Sequence, residues 1–296
     1  MKYWKGYLCM IVFFVSCEKN ISLNLKNQSP VLVVDASIEN NQAPLVVLSS
    51  SLNYFNTISP AQLSAAFVHN AVVTVGDGTT TATLKEYSVT DSAGYKYFYY
   101  TDDQNNPPSY IIGALNKQYQ LTIKTTDGNT YTAATTIPPV AKKCDSLWWT
   151  PSLGNPDTTL CVMYGRFTDP PGLGNYIRYF TRVDSQPFLA PANSVFDDEF
   201  TDGKTYNISF FMGYDRTAIN ENKNDIGYAH RDDTVTLKFC NIDKATYEFW
   251  NTWEFAYQST GNPFSSPVKV IGNISNGALG AFSGYGAQYK TIIIPK

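Results

Sequence analysis

The feature that most constrains this chain is a strict alternation of apolar and polar residues beside tight-turn signals. Tyr119, Leu121 and Ile123 alternate with Gln120, Thr122 and Lys124. Successive side chains of a strand point to opposite faces, so this spacing puts the apolar trio on one buried face. Asp127-Gly128 follows, a pair suited to a tight connection because Gly tolerates positive φ. Thr130 to Ile137 reads as the returning strand. The same grammar recurs upstream. Val31 to Val34 and Leu45 to Leu48 are compact apolar runs, and Tyr95 to Tyr100 is an aromatic strand. Ala71 to Val75 leads into the turn Gly76-Asp77-Gly78, and Thr81 to Tyr87 leads out of it. About seven short strands with turns between them predict an immunoglobulin-like antiparallel β-sandwich over residues 30–139.

Pro138-Pro139 breaks the pattern, since proline lacks an amide donor and restricts its predecessor. A domain boundary is placed there, and residues 140–296 read as a second β-rich domain with one α-helix. Leu160 to Phe167 and Tyr176 to Val183 flank the turn Asp169-Pro170-Pro171-Gly172. Tyr206, Ile208 and Phe210 alternate, as do Val235, Leu237 and Phe239. A helix is expected near 244–258, with Asp243 as its cap. Phe249, Trp253 and Ala256 share one of its faces, and Tyr247, Trp250, Glu254 and Tyr257 a second. Gly277, Gly280, Gly284 and Gly286 read as turns before a last strand from Tyr289 to Ile294.

The N-terminus carries a different message. Lys2 and Lys5 precede a short apolar run, Tyr7 to Val15, of signal-peptide length and too short to span a bilayer. It ends in Phe14-Val15-Ser16-Cys17. Bulky Phe14 at minus three, with Cys at plus one, looks like a bacterial lipoprotein box. Residues 1–16 are therefore expected to be a signal peptide, Cys17 the lipid attachment site, and residues 17–29 a polar tether. Acyl chains on that thiol would hold the protein to a membrane.

Composition narrows the function classes. Charged residues are 16% of the chain against a typical ~25%, and aromatics reach 15%. Few charges with many aromatics describe strands with polar faces, the opposite of disorder. The net charge of −3 and the lack of a basic run argue against nucleic acid as a partner. The two histidines, His69 and His230, have no second His or Cys at metal-ligand spacing. Asp197, Asp198, Glu199 and Asp202 form an acidic stretch that reads as a surface turn, with calcium binding as the alternative. No Gly-x-Ser-x-Gly, P-loop or dinucleotide fingerprint occurs. No catalytic residue, metal ligand or cofactor is therefore expected, and the chain reads as non-enzymatic.

Cys144, Cys161 and Cys240 remain after the leader. Cys144 and Cys161 start neighbouring strands, so they are the candidate disulfide; the alternative is three small buried apolar residues. Trp148 and Trp149 are adjacent and must face opposite ways in a strand. An exposed one would be a platform for a glycan or peptide; otherwise both are covered by the neighbouring domain.

Several ordered stretches resemble one family. They include Ser16-Cys17-Glu18-Lys19, Pro30 to Val34, and Tyr119-Gln120-Leu121-Thr122-Ile123. Phe167-Thr168-Asp169-Pro170, Asn175-Tyr176-Ile177-Arg178 and Asp198 to Gly203 follow. Asn262-Pro263-Phe264 and Asn273-Ile274 leading to Gly277-Ala278-Leu279-Gly280-Ala281-Phe282 complete the set. In this order they resemble the Bacteroidota outer-membrane lipoproteins grouped as domain of unknown function 4249. The resemblance implies a lipid-anchored protein of the outer membrane, on its periplasmic or surface face, often associated with a TonB-dependent transporter. It implies no activity and no catalytic residue. Alternatives within this reading are a glycan- or peptide-binding module and a hydrolase with an unrecognised site.

Overall fold

The computed structural model describes residues 29–52, 59–90, 94–103, 105, 110–216, 225–262, 264–266 and 268–296. The first half carries β1 (Leu32–Glu39), β2 (Leu45–Ser50), α1 (Pro60–Ala66), β3 (Val72–Gly76), β4 (Thr81–Thr90), β5 (Lys96–Asp102), β6 (Lys117–Lys124) and β7 (Thr130–Ile137). All the strands read from alternation are present. In the hairpin of β6 and β7, Lys124 pairs with Thr130, and Gly128 takes φ +88° at the turn. Tyr119, Leu121 and Ile123 are buried with Val34, Ile38, Leu48, Val73 and Val75 in one core. The short helix α1 carried no apolar period. Its signal was local: Ser59 and Gln62 close a capping box.

The second half carries β8 (Lys143–Pro151), β9 (Leu160–Thr168), β10 (Tyr176–Val183), β11 (Val195–Phe196), β12 (Thr205–Phe210), β13 (Ala229–His230), β14 (Thr234–Ile242), α2 (Lys244–Gln258) and β15 (Leu279–Ile293). The protein is mainly β, built on two sheets. The larger runs β11-β10-β14-β15-β1-β2-β5-β4-β3-β6-β7, and the smaller has β9 paired with β8 on one side and with β12 and β13 on the other.

One expectation changes. The glycines at 280, 284 and 286 are strand residues of β15, not turns. Glycine inside a strand marks close approach of another backbone. A Cβ on Gly280 would lie 1.9 Å from the Val34 carbonyl oxygen, and one on Gly284 2.5 Å from that of Thr136. The chain leaves the large sheet after Ile137, beside Pro138-Pro139, and returns to it at β10; its last strand, β15, then joins the two halves. Leu279 to Tyr285 pair with β1, and Tyr285 to Ile293 pair with β14. Phe282 joins the first core. Every pairing among β1 to β7 is antiparallel, while the β1–β15 contact that joins the two halves is parallel, and one sheet holds strands of both.

Helix α2 occupies the expected residues, and Asp243 caps it. Its Oδ1 accepts from the Thr246 amide at 2.8 Å. Its Oδ2 accepts from the Thr136 amide at 2.9 Å and the Thr135 hydroxyl at 3.0 Å, which ties the helix start to β7. Under the helix, Arg178 donates to Ser194 Oγ at 3.1 Å and Tyr285 Oη at 2.9 Å. Its guanidinium lies 3.3 Å from the centre of the Trp250 ring. Glu254 accepts from the Ser194 amide at 2.9 Å, and burial raises its carboxyl pKa against these bonds.

The junction between the sheets holds a buried ion pair. Lys142 is 1% exposed and its Nζ lies 2.7 Å from Asp169 Oδ2. Nζ also donates to Thr201 Oγ1 at 2.9 Å, and that hydroxyl donates to Asp169 Oδ2 at 2.7 Å. Asn241 of β14 clamps the Lys142 backbone at both its amide and its carbonyl, each at 2.9 Å.

Candidate functional site

The second core lies between the small sheet and the β10–β14 end of the large one. Two strands bound this sandwich on the same side: β11 ends the large sheet and β12 ends the small one. Between them opens a cavity of about 410 Å³, within the range of ligand pockets. Phe167 and Phe239 line its interior, while Phe196, Phe200, Ile208 and Phe211 line its mouth. Phe200 is 85% exposed, Phe211 66%, Ile208 52% and Phe196 47%. Single exposed apolar residues are ordinary, but a cluster around a cavity marks a binding surface.

The strand β12 has the sequence Thr-Tyr-Asn-Ile-Ser-Phe. It contains no charge and no proline, the usual protections of a free sheet edge. The opposing edge, β11, is only two residues long.

The loop between these strands is held by Asp198, which is buried. Its carboxylate accepts from the Gly174 amide at 3.0 Å, the Asn175 amide at 2.9 Å and the Asn175 side-chain amide at 3.2 Å. Burial pushes its pKa up, but these donors outweigh burial and leave it below the usual carboxylate range. Asp202 accepts from the Gly172 amide at 2.6 Å, and Asp197 from the Tyr247 hydroxyl at 3.1 Å. Burial, with that bond to Asp197, pushes the Tyr247 hydroxyl up to about 12. The acidic stretch is thus a loop clamp from which Phe200 projects. Among the described residues, no three His, Cys, Asp or Glu side chains converge as metal ligands.

Because the folded pKa of Asp198 is depressed, its stabilisation is full above the unfolded value of roughly 3.9 and is lost as pH falls below it. Asp198→Asn should therefore flatten the acid limb of stability below about pH 4, measured by urea unfolding across pH. At pH 7 the same variant should lower stability, since Asn cannot accept from three donors in the same geometry.

The residues expected from sequence are dispersed. Trp149 packs against the second core with the Arg231 guanidinium 5.0 Å from its ring. Trp148 faces the other way and lies parallel to Tyr164, 12° between planes and 5.8 Å between centroids. Opposite orientation follows from strand geometry, and neither residue belongs to the cavity. His69 Nδ1 pairs with Glu86 Oε1 at 2.5 Å in the first half, and His230 lies 3.9 Å from Asp233. Cys17, the signal peptide and nearly all of the tether lie outside the described residues.

The proposed disulfide is corrected. Cys144 and Cys161 do sit on paired strands, but at opposite ends. Cys144 is opposite Phe167, six residues past Cys161, a separation of about 20 Å along the strand. A disulfide needs Cα atoms within roughly 7 Å. Cys144, Cys161 and Cys240 are free and buried. Burial pushes the Cys144 thiol up to about 11 and that of Cys240 to about 12, so both are protonated and inert.

Phe196, Phe200 and Phe211 were missed as site residues. One signal was available: Phe210-Phe211 are adjacent, so β-geometry drives one of the two outward. Among the described residues, no helix is long and apolar enough to cross a membrane. A search of curated proteins finds no match. A family model matches residues 18–291, and on that match the chain belongs to the family described as Domain of unknown function (DUF4249).

Proposed function

We propose that the protein is a non-enzymatic, lipid-anchored outer-membrane protein of Bacteroidota type that binds a partner protein in the cavity between β11 and β12. The partner class is an outer-membrane protein, with a TonB-dependent transporter as the leading case. The observation that carries this reading is the aromatic mouth flanked by β11 and β12, each an edge strand of its sheet among the described residues. An anchor at Cys17 would confine the protein near such a partner and raise its effective concentration.

A photo-crosslinking side chain in place of Phe200 should trap one envelope protein in intact cells. The pair Ile208→Lys and Phe211→Asp should abolish that product while changing stability little, because both side chains are largely solvent-exposed. Cys17→Ser should release the protein from the membrane fraction. Recurrent trapping of no envelope protein at Phe200 would defeat the proposal.

A second reading rests on a different surface. The parallel pair Trp148 and Tyr164 shares its side of the small sheet with exposed Ser146, Arg166, Asn207 and Ser209. An aromatic face beside hydrogen-bonding side chains suits a glycan ring. Binding to a glycan array that Trp148→Ala removes would favour this reading over the cavity.

A further inference from the structure

We infer that the occupant of the cavity is an extended segment of a partner protein, apolar at alternate positions and basic at one end, which adds as a strand to the free edge of β12. This rests on the cavity being the binding site. Among the described residues, the backbone of β12 is paired on one side only, Thr205 to Phe210 against Thr168 to Met163. Six residues expose about 20 Å of unpaired edge. An added strand continues the pleat, so its alternate side chains fall on the same face as Tyr206, Ile208 and Phe210. That face looks across the cavity toward Phe196, and the incoming apolar side chains close the open side of the sandwich.

Charge selects the ends of the segment. Asp197 lines the cavity, and Glu199 and Asp202 stand on the same β11–β12 loop, which carries one ammonium, that of Lys204. Lys204 Nζ donates to the Phe200 carbonyl at 2.9 Å, so it is turned onto its own loop. The rim is net acidic, and a lysine or arginine at the end of the segment complements it while a carboxylate is repelled.

The test is a display library of random peptides, roughly twelve residues long, selected against the full chain and against the Ile208→Lys, Phe211→Asp variant. Sequences enriched on the unmodified protein alone should alternate apolar and polar residues and carry Lys or Arg at one end. A synthetic peptide of that kind should lose about ten-fold in affinity when its basic residue becomes Glu, and less at high salt. N-methylation of its alternate backbone amides on the edge that meets β12 should remove binding. Enriched sequences without alternation, binding that survives N-methylation of both edges, or no enrichment over the variant would overturn the inference. So would binding of a free fatty acid in place of any peptide. If Phe200 still traps an envelope protein while the library fails, the site stands and strand addition falls; if both fail, both readings fall.

Discussion

Lys142→Met should lower the unfolding free energy by about 3–5 kcal/mol, the typical cost of removing one partner from a buried pair. Asp169 would lose its cationic partner with almost no solvent contact, its Oδ1 already without a hydrogen-bond partner among the described residues. Only the Thr201 hydroxyl would still donate to Oδ2. The loss is larger than that of any surface pair, such as Lys244 with Glu248, which contribute about 0–1 kcal/mol. Combining Lys142→Met with Asp169→Leu should recover most of the stability, since apolar replacement of a whole buried pair is often neutral or favourable. Equilibrium urea unfolding of the two single variants and the double variant measures this. A double variant no better than the worse single would show that apolar side chains do not pack in place of the pair. The pair also backs the binding cavity, because Lys142 Nζ lies 5.8 Å from the centre of the Tyr206 ring and Thr201 lines the cavity.

Gly280→Ala is expected to cost roughly 3 kcal/mol or more, and Gly277→Ala only about 1. Both residues have positive φ, +101° and +74°. They differ in space. A Cβ at 280 would meet the Val34 carbonyl oxygen at 1.9 Å, whereas at 277 nothing lies within 4 Å. Overpacking therefore adds to backbone strain at the first site and not at the second. Denaturant midpoints at unchanged slope would report the difference. Equal costs at the two positions would mean that β1 moves aside freely.

The strands and the helix were legible because each carried its own period. Tyr119 to Ile123 alternate, and Asp243 with the aromatic faces of α2 announces a capped helix. What the sequence hid is long-range. The glycines of β15 carry the same letters whether they serve a turn or a close backbone contact, and only the neighbouring strand decides. Register did the same for Cys144 and Cys161, which proximity at strand starts brought together and antiparallel direction drives apart. The cavity was hidden for a related reason. Phe196 looks like a core residue in any local window, and the Phe210-Phe211 pair does not say which of the two faces out; they become a mouth only because two unrelated strands end on the same side.

The return of β15 sets an order of events during synthesis. Its first half is the partner of β1, nearly 250 positions upstream. Until residues 279–285 have been synthesised, β1 lacks one neighbour and Phe282 is missing from the first core. Pairings of such sequence separation form slowly, because a long loop must close before any contact rewards it. The first core therefore closes late, only once residues 279–285 have been made and have found a strand laid down long before them.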